Sequence, residues 1–225
     1  MDPVESRRHP FLSGVILAAG SSTRMGRTKQ LLTLENRPLL QHVVDAAAAS
    51  RLDEIILVLG HRAEEIRAAI DCPARVRVVV NTAYAEGQST SLCAGLRSAS
   101  PGAQAAAVLL GDQPRVTAQL IDLVATAFAK SAACVARPVY AGVGGGRVPG
   151  HPVFLARRVW PETTKLRGDQ GARALLLAHP EWLCEVSVAG EAPPDVDTWE
   201  DYRSSAGCAA PPAIGALPGN SRGGT

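Results

Sequence analysis

Short apolar runs alternate along this chain with longer stretches whose apolar positions recur at helical spacing. GVIL (14–17), EIILVL (54–59), RVRVVV (75–80), AAVLL (106–110) and ACVA (133–136) have the length and continuity of buried strands. Between them, residues 38–50, 62–70, 89–99 and 117–130 carry a helical period. Pro38 suits a first helical turn and Thr117 an N-cap. Continuous apolar strands with helices between them predict an α/β fold, a single Rossmann-like domain whose mostly parallel central sheet carries helices on both faces.

Beyond Arg137 the pattern loosens into a glycine-rich run over 141–150, followed by a short apolar strand. A helix over 170–177, a strand over 185–188 and a short helix over 198–202 complete the expected elements. Residues 204–225 are mostly Gly, Pro, Ala and Ser with little to bury, which predicts a disordered tail. The globular domain is expected over 13–203, preceded by a leader over 1–12. The apolar part of FLSGVILAAG is interrupted by Ser13 and Gly14 and suits a first strand better than a signal peptide.

Composition narrows the function classes. At 225 residues and 46% apolar, the chain can build one well-packed core; with aromatics at 4%, that core is aliphatic. The 23 basic and 21 acidic side chains leave a net charge of +2, far from the basic excess of a general nucleic-acid binder. No apolar stretch reaches the roughly 18 residues of a membrane span. The five cysteines, Cys72, Cys93, Cys134, Cys184 and Cys208, are scattered, with no C-x-x-C pair. They suit neither a disulfide framework nor a zinc site and predict a cytoplasmic protein.

In parallel α/β sheets ligands bind beyond the carboxyl ends of the strands. The segments at those ends are AGSSTR, GHR, NTAYAEGQS and GDQP, each small, polar or charged. The first, with Arg24 and Lys29 close together, matches neither G-x-G-x-x-G nor G-x-x-x-x-G-K-[ST]. Ala18, Ala19 and Gly20 leave the backbone bare enough for a base or phosphate to approach. The same residues would equally make a plain strand-to-helix turn. Asp112, after the most apolar strand, can hold a hard cation or form a turn before Pro114. DVDT offers Asp195 and Asp197 as a second carboxylate, with helix capping as the alternative for Asp197. EGQSTSLCAGL (86–96) suits either an anion site at a helix start or an ordinary capped helix. Spacing alone gives His151 no role, and the absence of a G-x-S-x-G elbow argues against a serine hydrolase.

LAAGSSTRMGRTKQLL followed by RPLLQHVV, then GQSTSLCAGL, GDQP, GHPVFLARR, GDQGARALL and DVDTWEDY, resembles the molybdenum cofactor cytidylyltransferase family with its MobA-like NTP transferase domain. The resemblance implies transfer of CMP from CTP to the terminal phosphate of molybdenum cofactor, with Mg²⁺ as cofactor. It implies Arg24, Lys29 and Asp112 as catalytic groups and Asp112 and Asp197 as metal ligands. Leu17, Ala18, Ala19, Gly20, Gly87 and Ser89 would contact the nucleotide beside Arg24, Lys29 and Asp112. His151, Asp169 and Gln170 would line the pterin side. Guanylyl-transferring relatives typically have LAGG where this chain has LAAG; the extra methyl of Ala19 favours a pyrimidine. A molybdenum hydroxylase apoenzyme is a further expected partner. A guanylyltransferase, another phosphate acceptor and a cofactor-binding chaperone stay open as alternatives.

Overall fold

The structure, a computed structural model, describes residues 10–21 and 25–206. The expected leader and tail fall largely outside these residues, as do Arg24 and Cys208. The first strand, β1 (Leu12–Leu17), is followed by a small hairpin of β2 (Thr33–Leu34) and β3 (Arg37–Pro38). Then come α1 (Leu39–Ala49), β4 (Glu54–Leu59), α2 (Ala63–Ala69), β5 (Val76–Val80), α3 (Gln88–Ser98), β6 (Ala105–Leu110) and α4 (Ala118–Lys130). The second half holds β7 (Val135–Ala141), β8 (Arg147–Pro149), β9 (Val153–Ala156), α5 (Trp160–Thr163), α6 (Ala172–Ala178), β10 (Leu183–Val188) and α7 (Trp199–Ala206).

The strands join in the order β10–β7–β9–β6–β1–β4–β5, with β8 paired to the last part of β7. The pairs β1–β4, β1–β6, β4–β5 and β10–β7 are parallel; β9 runs antiparallel to both neighbours. Side chains alternate across the pleat, so Val15 and Ile16 enter different cores. Ile16, Leu57 and Leu109 pack under α1, α2 and α4, while Val15, Val58 and Val108 pack under α3, α5 and α6. The expected sheet, covered on both faces, is therefore present.

Most expected elements lie within two residues of their positions. Thr117 caps α4, its Oγ1 accepting from Leu120 N at 3.2 Å. Pro38, with ψ of 140°, stays just outside α1 rather than in its first turn. The strand expected over 133–136 starts later and runs on to Ala141, through a proline. Pro138 O accepts from Gly150 N at 3.0 Å, so its nitrogen faces the gap between β9 and β8, where a missing N–H breaks no ladder bond. The glycine run closes the β7–β8 hairpin, Gly142 N bonding Gly146 O at 2.7 Å. The β2–β3 hairpin and α5 had no counterpart in the sequence pattern; each is too short for periodicity to register.

Candidate active site

The carboxyl ends of β1 and β6, joined by the segment after β5 and the start of α3, frame a cavity of about 500 Å³. Its floor is strapped backbone: Ala18 N donates to Val58 O at 2.9 Å, His61 N to Ala19 O at 3.1 Å and Gly111 N to Leu17 O at 2.9 Å. Gln30, almost fully buried, donates from Nε2 to Ala18 O and Gly20 O, both at 3.2 Å, and so fixes the glycine loop from beneath. Side chains larger than glycine would break this frame at two points. A Cβ on Gly111 would lie 2.8 Å from the Ala18 Cβ, and one on Gly60 would lie 2.6 Å from the Tyr84 Cβ.

On one wall, Lys29 Nζ donates to Asp112 Oδ2 at 2.6 Å and to Asp197 Oδ1 at 2.8 Å. The side chains of Lys29 and Asp112 are 14% and 20% exposed, and that of Asp197 is 43% exposed. Burial works to lower the Lys29 pKa, but the two carboxylates, Asp112 foremost, outweigh it and hold the pKa above its ordinary value. Asp197 reaches this point although it lies far along the chain from Asp112. Val196 N donates to Asp112 O at 2.9 Å, and Gln113 Nε2 donates to Asp195 Oδ1 at 2.6 Å, tying the segment to the end of β6. Asp197 is not the cap of α7. Asp201 Oδ2 accepts from Thr198 N and Thr198 Oγ1, both at 2.8 Å, and Thr198 Oγ1 accepts from Asp201 N at 3.2 Å. This reciprocal capping box does not use the Asp197 carboxylate, which accepts from Lys29.

Two further titratable groups feel this cluster. Desolvation by burial raises the pKa of Asp195; the Gln113 hydrogen bond lowers it, and the charges of Asp112 and Asp197 raise it again. His151, on the loop before β9, is held neutral at physiological pH. Burial pulls its pKa down to about 4, with the Asp112 charge opposing and Arg137 assisting.

The donor set suits a hard divalent cation. Asp112 Oδ1 is buried and has no hydrogen-bond partner among the described residues, an acceptor left open beside a second carboxylate. Among those residues no group of three or more His, Cys, Asp or Glu could hold a metal ion. Two carboxylates suffice for Mg²⁺, which takes one or two and completes its shell with water and phosphate oxygens.

The structure brings Leu17, Ala18, Ala19, Gly20, Lys29, Gly87, Asp112 and Asp169 to the cavity wall, with Asp197 behind Lys29. It does not bring Ser89 there. Ser89 lines a neighbouring recess of about 330 Å³, and Ser91 lines the main cavity instead. Residues two apart on a helix face opposite sides, so fixing the start of α3 at Gln88 is what would have separated them. Gln170 is exposed and closes its own turn, its Oε1 accepting from Arg167 N at 3.0 Å. Neither Gln170 nor His151 lines the cavity. Asp169 does, and its Oδ1 accepts from Gln88 N at 3.3 Å. Sequence reasoning missed Gln30, Tyr84 and Gln88 at the wall. A polar residue inside the apolar pattern KQLL was the available sign for Gln30, because buried amides need partners.

Fold and cavity together define a doubly wound α/β protein with its site at the strand ends. The chain belongs to the MobA-like NTP transferase domain family, which it matches over residues 14–182, and it is therefore a nucleotidyltransferase-family protein. It is 32% identical to the purine catabolism protein PucB of Bacillus subtilis (strain 168), covering 87% of this chain and 96% of that one. It is 30% identical to the nicotine blue oxidoreductase of Paenarthrobacter nicotinovorans (86% and 96% covered). Its identity to the molybdenum cofactor cytidylyltransferase of Escherichia coli (strain K12) is 27% (84% and 92% covered). Among solved structures, Rv0371c from Mycobacterium tuberculosis H37Rv superposes with a TM-score of 0.78 at 32% identity, covering 89% of this chain and 99% of that one. A complex of Rv0371c with manganese superposes at 0.73, also at 32% identity, covering 88% and 98%.

Proposed function

We propose that the protein transfers CMP from CTP to the terminal phosphate of molybdenum cofactor and releases pyrophosphate. The observation that carries this reading is the Asp112–Lys29–Asp197 cluster on the wall of a cavity floored by bare backbone, in a chain of this family. Ala18, Ala19, Gly20 and Gly87 present main chain to a flat base and its phosphates. Ala19 lines the cavity, and its methyl lies 2.9 Å from where a Cβ on Gly60 would sit. Its bulk supports a pyrimidine over a guanine.

A phosphate monoester is a competent nucleophile at neutral pH, so the residues act by positioning and by charge. Lys29, with Arg24 five positions earlier in the sequence, would neutralise charge as pyrophosphate departs. Asp112 and Asp197 would hold Mg²⁺, which when bound supplies charge stabilisation to phosphate oxygens. Asp169, which lines the cavity, would meet the acceptor, with His151 and Gln170 contributing from positions outside the cavity lining. A cytoplasmic setting goes with this reading, since the four described cysteines are free thiols.

The test is product analysis: the full chain incubated with molybdenum cofactor, Mg²⁺ and CTP, GTP or ATP in turn. A cytosine dinucleotide formed mainly from CTP, with pyrophosphate, is the expected result. A guanine product would reassign the base. Cofactor bound intact without turnover would replace the transferase reading with that of a carrier for a molybdenum hydroxylase.

A further inference from the structure

The same geometry points to a role for Lys29 before any nucleotide arrives: we infer that its ammonium group occupies the cation position between Asp112 and Asp197 and keeps divalent metal out until a nucleotide triphosphate draws it away. The inference rests on the reading of these two aspartates as the metal-holding pair. Lys29 Nζ sits 2.6 Å from one carboxylate and 2.8 Å from the other, so it already satisfies oxygens that a divalent ion would need. Both pairs are charge-assisted and largely shielded from solvent on the lysine side. Asp112 Oδ1 remains buried without a partner, so the lysine fills the site only in part. A metal ion entering alone would have to displace a cation of like sign from a shielded position.

The nucleotide changes this balance. Lys29 and Gly20 line the same cavity, so a triphosphate lying on the glycine loop offers the ammonium new anionic partners within reach of its flexible stem. Once Lys29 turns to the phosphates, Asp112 and Asp197 lose their lysine partner, and phosphate oxygens would be at hand to complete the metal's shell. Nucleotide and metal therefore bind with positive coupling, and metal without nucleotide binds poorly. If the lysine leaves the bridge about one tenth of the time, the apparent metal affinity of the free protein is lowered roughly tenfold.

The experiment uses the full-length protein and Mn²⁺ as a paramagnetic stand-in for Mg²⁺, with binding read by electron paramagnetic resonance and by the metal-induced rise in Tm. Wild type, Lys29→Met, Asp112→Asn and Asp197→Asn are compared without nucleotide. Lys29→Met is expected to bind Mn²⁺ about tenfold or more tightly than wild type. It should also gain more Tm from the ion, because two facing carboxylates are left without their lysine. Asp112→Asn should lose binding. If Lys29→Met binds Mn²⁺ no better than wild type while Asp112→Asn abolishes binding, the lysine does not guard the site, though the aspartates still hold the metal. If neither Asp112→Asn nor Asp197→Asn weakens Mn²⁺ binding, the metal-site reading falls, and this inference with it.

Discussion

Lys29 is asked to serve two kinds of partner, carboxylates in the free protein and phosphates during the proposed reaction. Its removal therefore acts on turnover more than on fold. Lys29→Ala or Asp112→Ala is expected to cut kcat on the order of 10²-fold or more, the scale for losing one electrostatic group in such a site. Circular dichroism should show the fold retained. Near-normal turnover in either variant would remove that residue from the proposed mechanism. His151 gives a second prediction, with a sign set by linkage. Its pKa is about 4 in the folded chain, below the ordinary value of 6.5, so the unfolded chain binds more protons between those values. Stability from this group is complete above pH 6.5 and is lost as pH falls toward 4, with a limiting slope of about 1.4 kcal/mol per pH unit. Asp112 and Arg137 are the charges that act on it. Urea unfolding at several pH values should show a steeper decline for wild type than for His151→Gln. Parallel declines would mean that other groups govern the acid limb.

The elements at the cavity are positioned by glycines that are not equivalent, and this yields a contrast between two substitutions. Gly87, at the entrance to α3, has φ of 110°, and a Cβ there would lie 2.1 Å from the Gly168 carbonyl carbon. Gly87→Ala combines left-handed strain with a backbone clash, so it should cost upward of about 2 kcal/mol and push the 167–170 loop off α3. A Cβ on Gly20 meets nothing within 4 Å. Gly20→Ala should keep the wild-type Tm, yet place a methyl group in space reserved for the nucleotide and weaken CTP binding. Equal Tm values for the two variants would contradict this picture of the loops. These distinctions were only partly legible in the sequence. Strand runs such as EIILVL, uninterrupted because both faces are covered, marked β4 to the residue. Ser89 and Ser91 could not be told apart, because helix register depends on where the first turn closes. Pro138 concealed half of β7, because whether a proline breaks a ladder depends on neighbours that local pattern does not contain.

At the scale of the whole molecule, the strand order and the meeting of distant segments were least legible. Insertion of antiparallel β9 between β6 and β7 is a long-range choice, and nothing local to GHPVFLA records it. The approach of Asp197 to Asp112 likewise depends on docking of the C-terminal segment, which has its own anchors away from the cavity. Arg115 donates to Glu35 Oε1 at 2.8 Å and to Ser205 O at 2.7 Å, and Tyr202 Oη donates to Thr33 O. These bonds clamp α7 to the β2–β3 hairpin and to the loop after β6, and the capping box transmits that position to Asp197. Arg115 and Tyr202 form none of the cavity wall. The double variant Arg115→Ala/Tyr202→Phe should therefore leave CTP affinity near that of wild type. Loosening of Asp197 should weaken Mn²⁺ binding and lower kcat, each by roughly tenfold if the lost bonds are worth about 1.4 kcal/mol at the site. Hydrogen exchange over 195–206 should quicken in the same variant while β1 and β6 stay protected, because the central strands do not rely on α7. Faster exchange with unchanged metal binding would mean that contacts on the β6 side, among them those of Lys29, Val196 and Gln113, hold Asp197 without help from α7, and that α7 serves stability rather than the site.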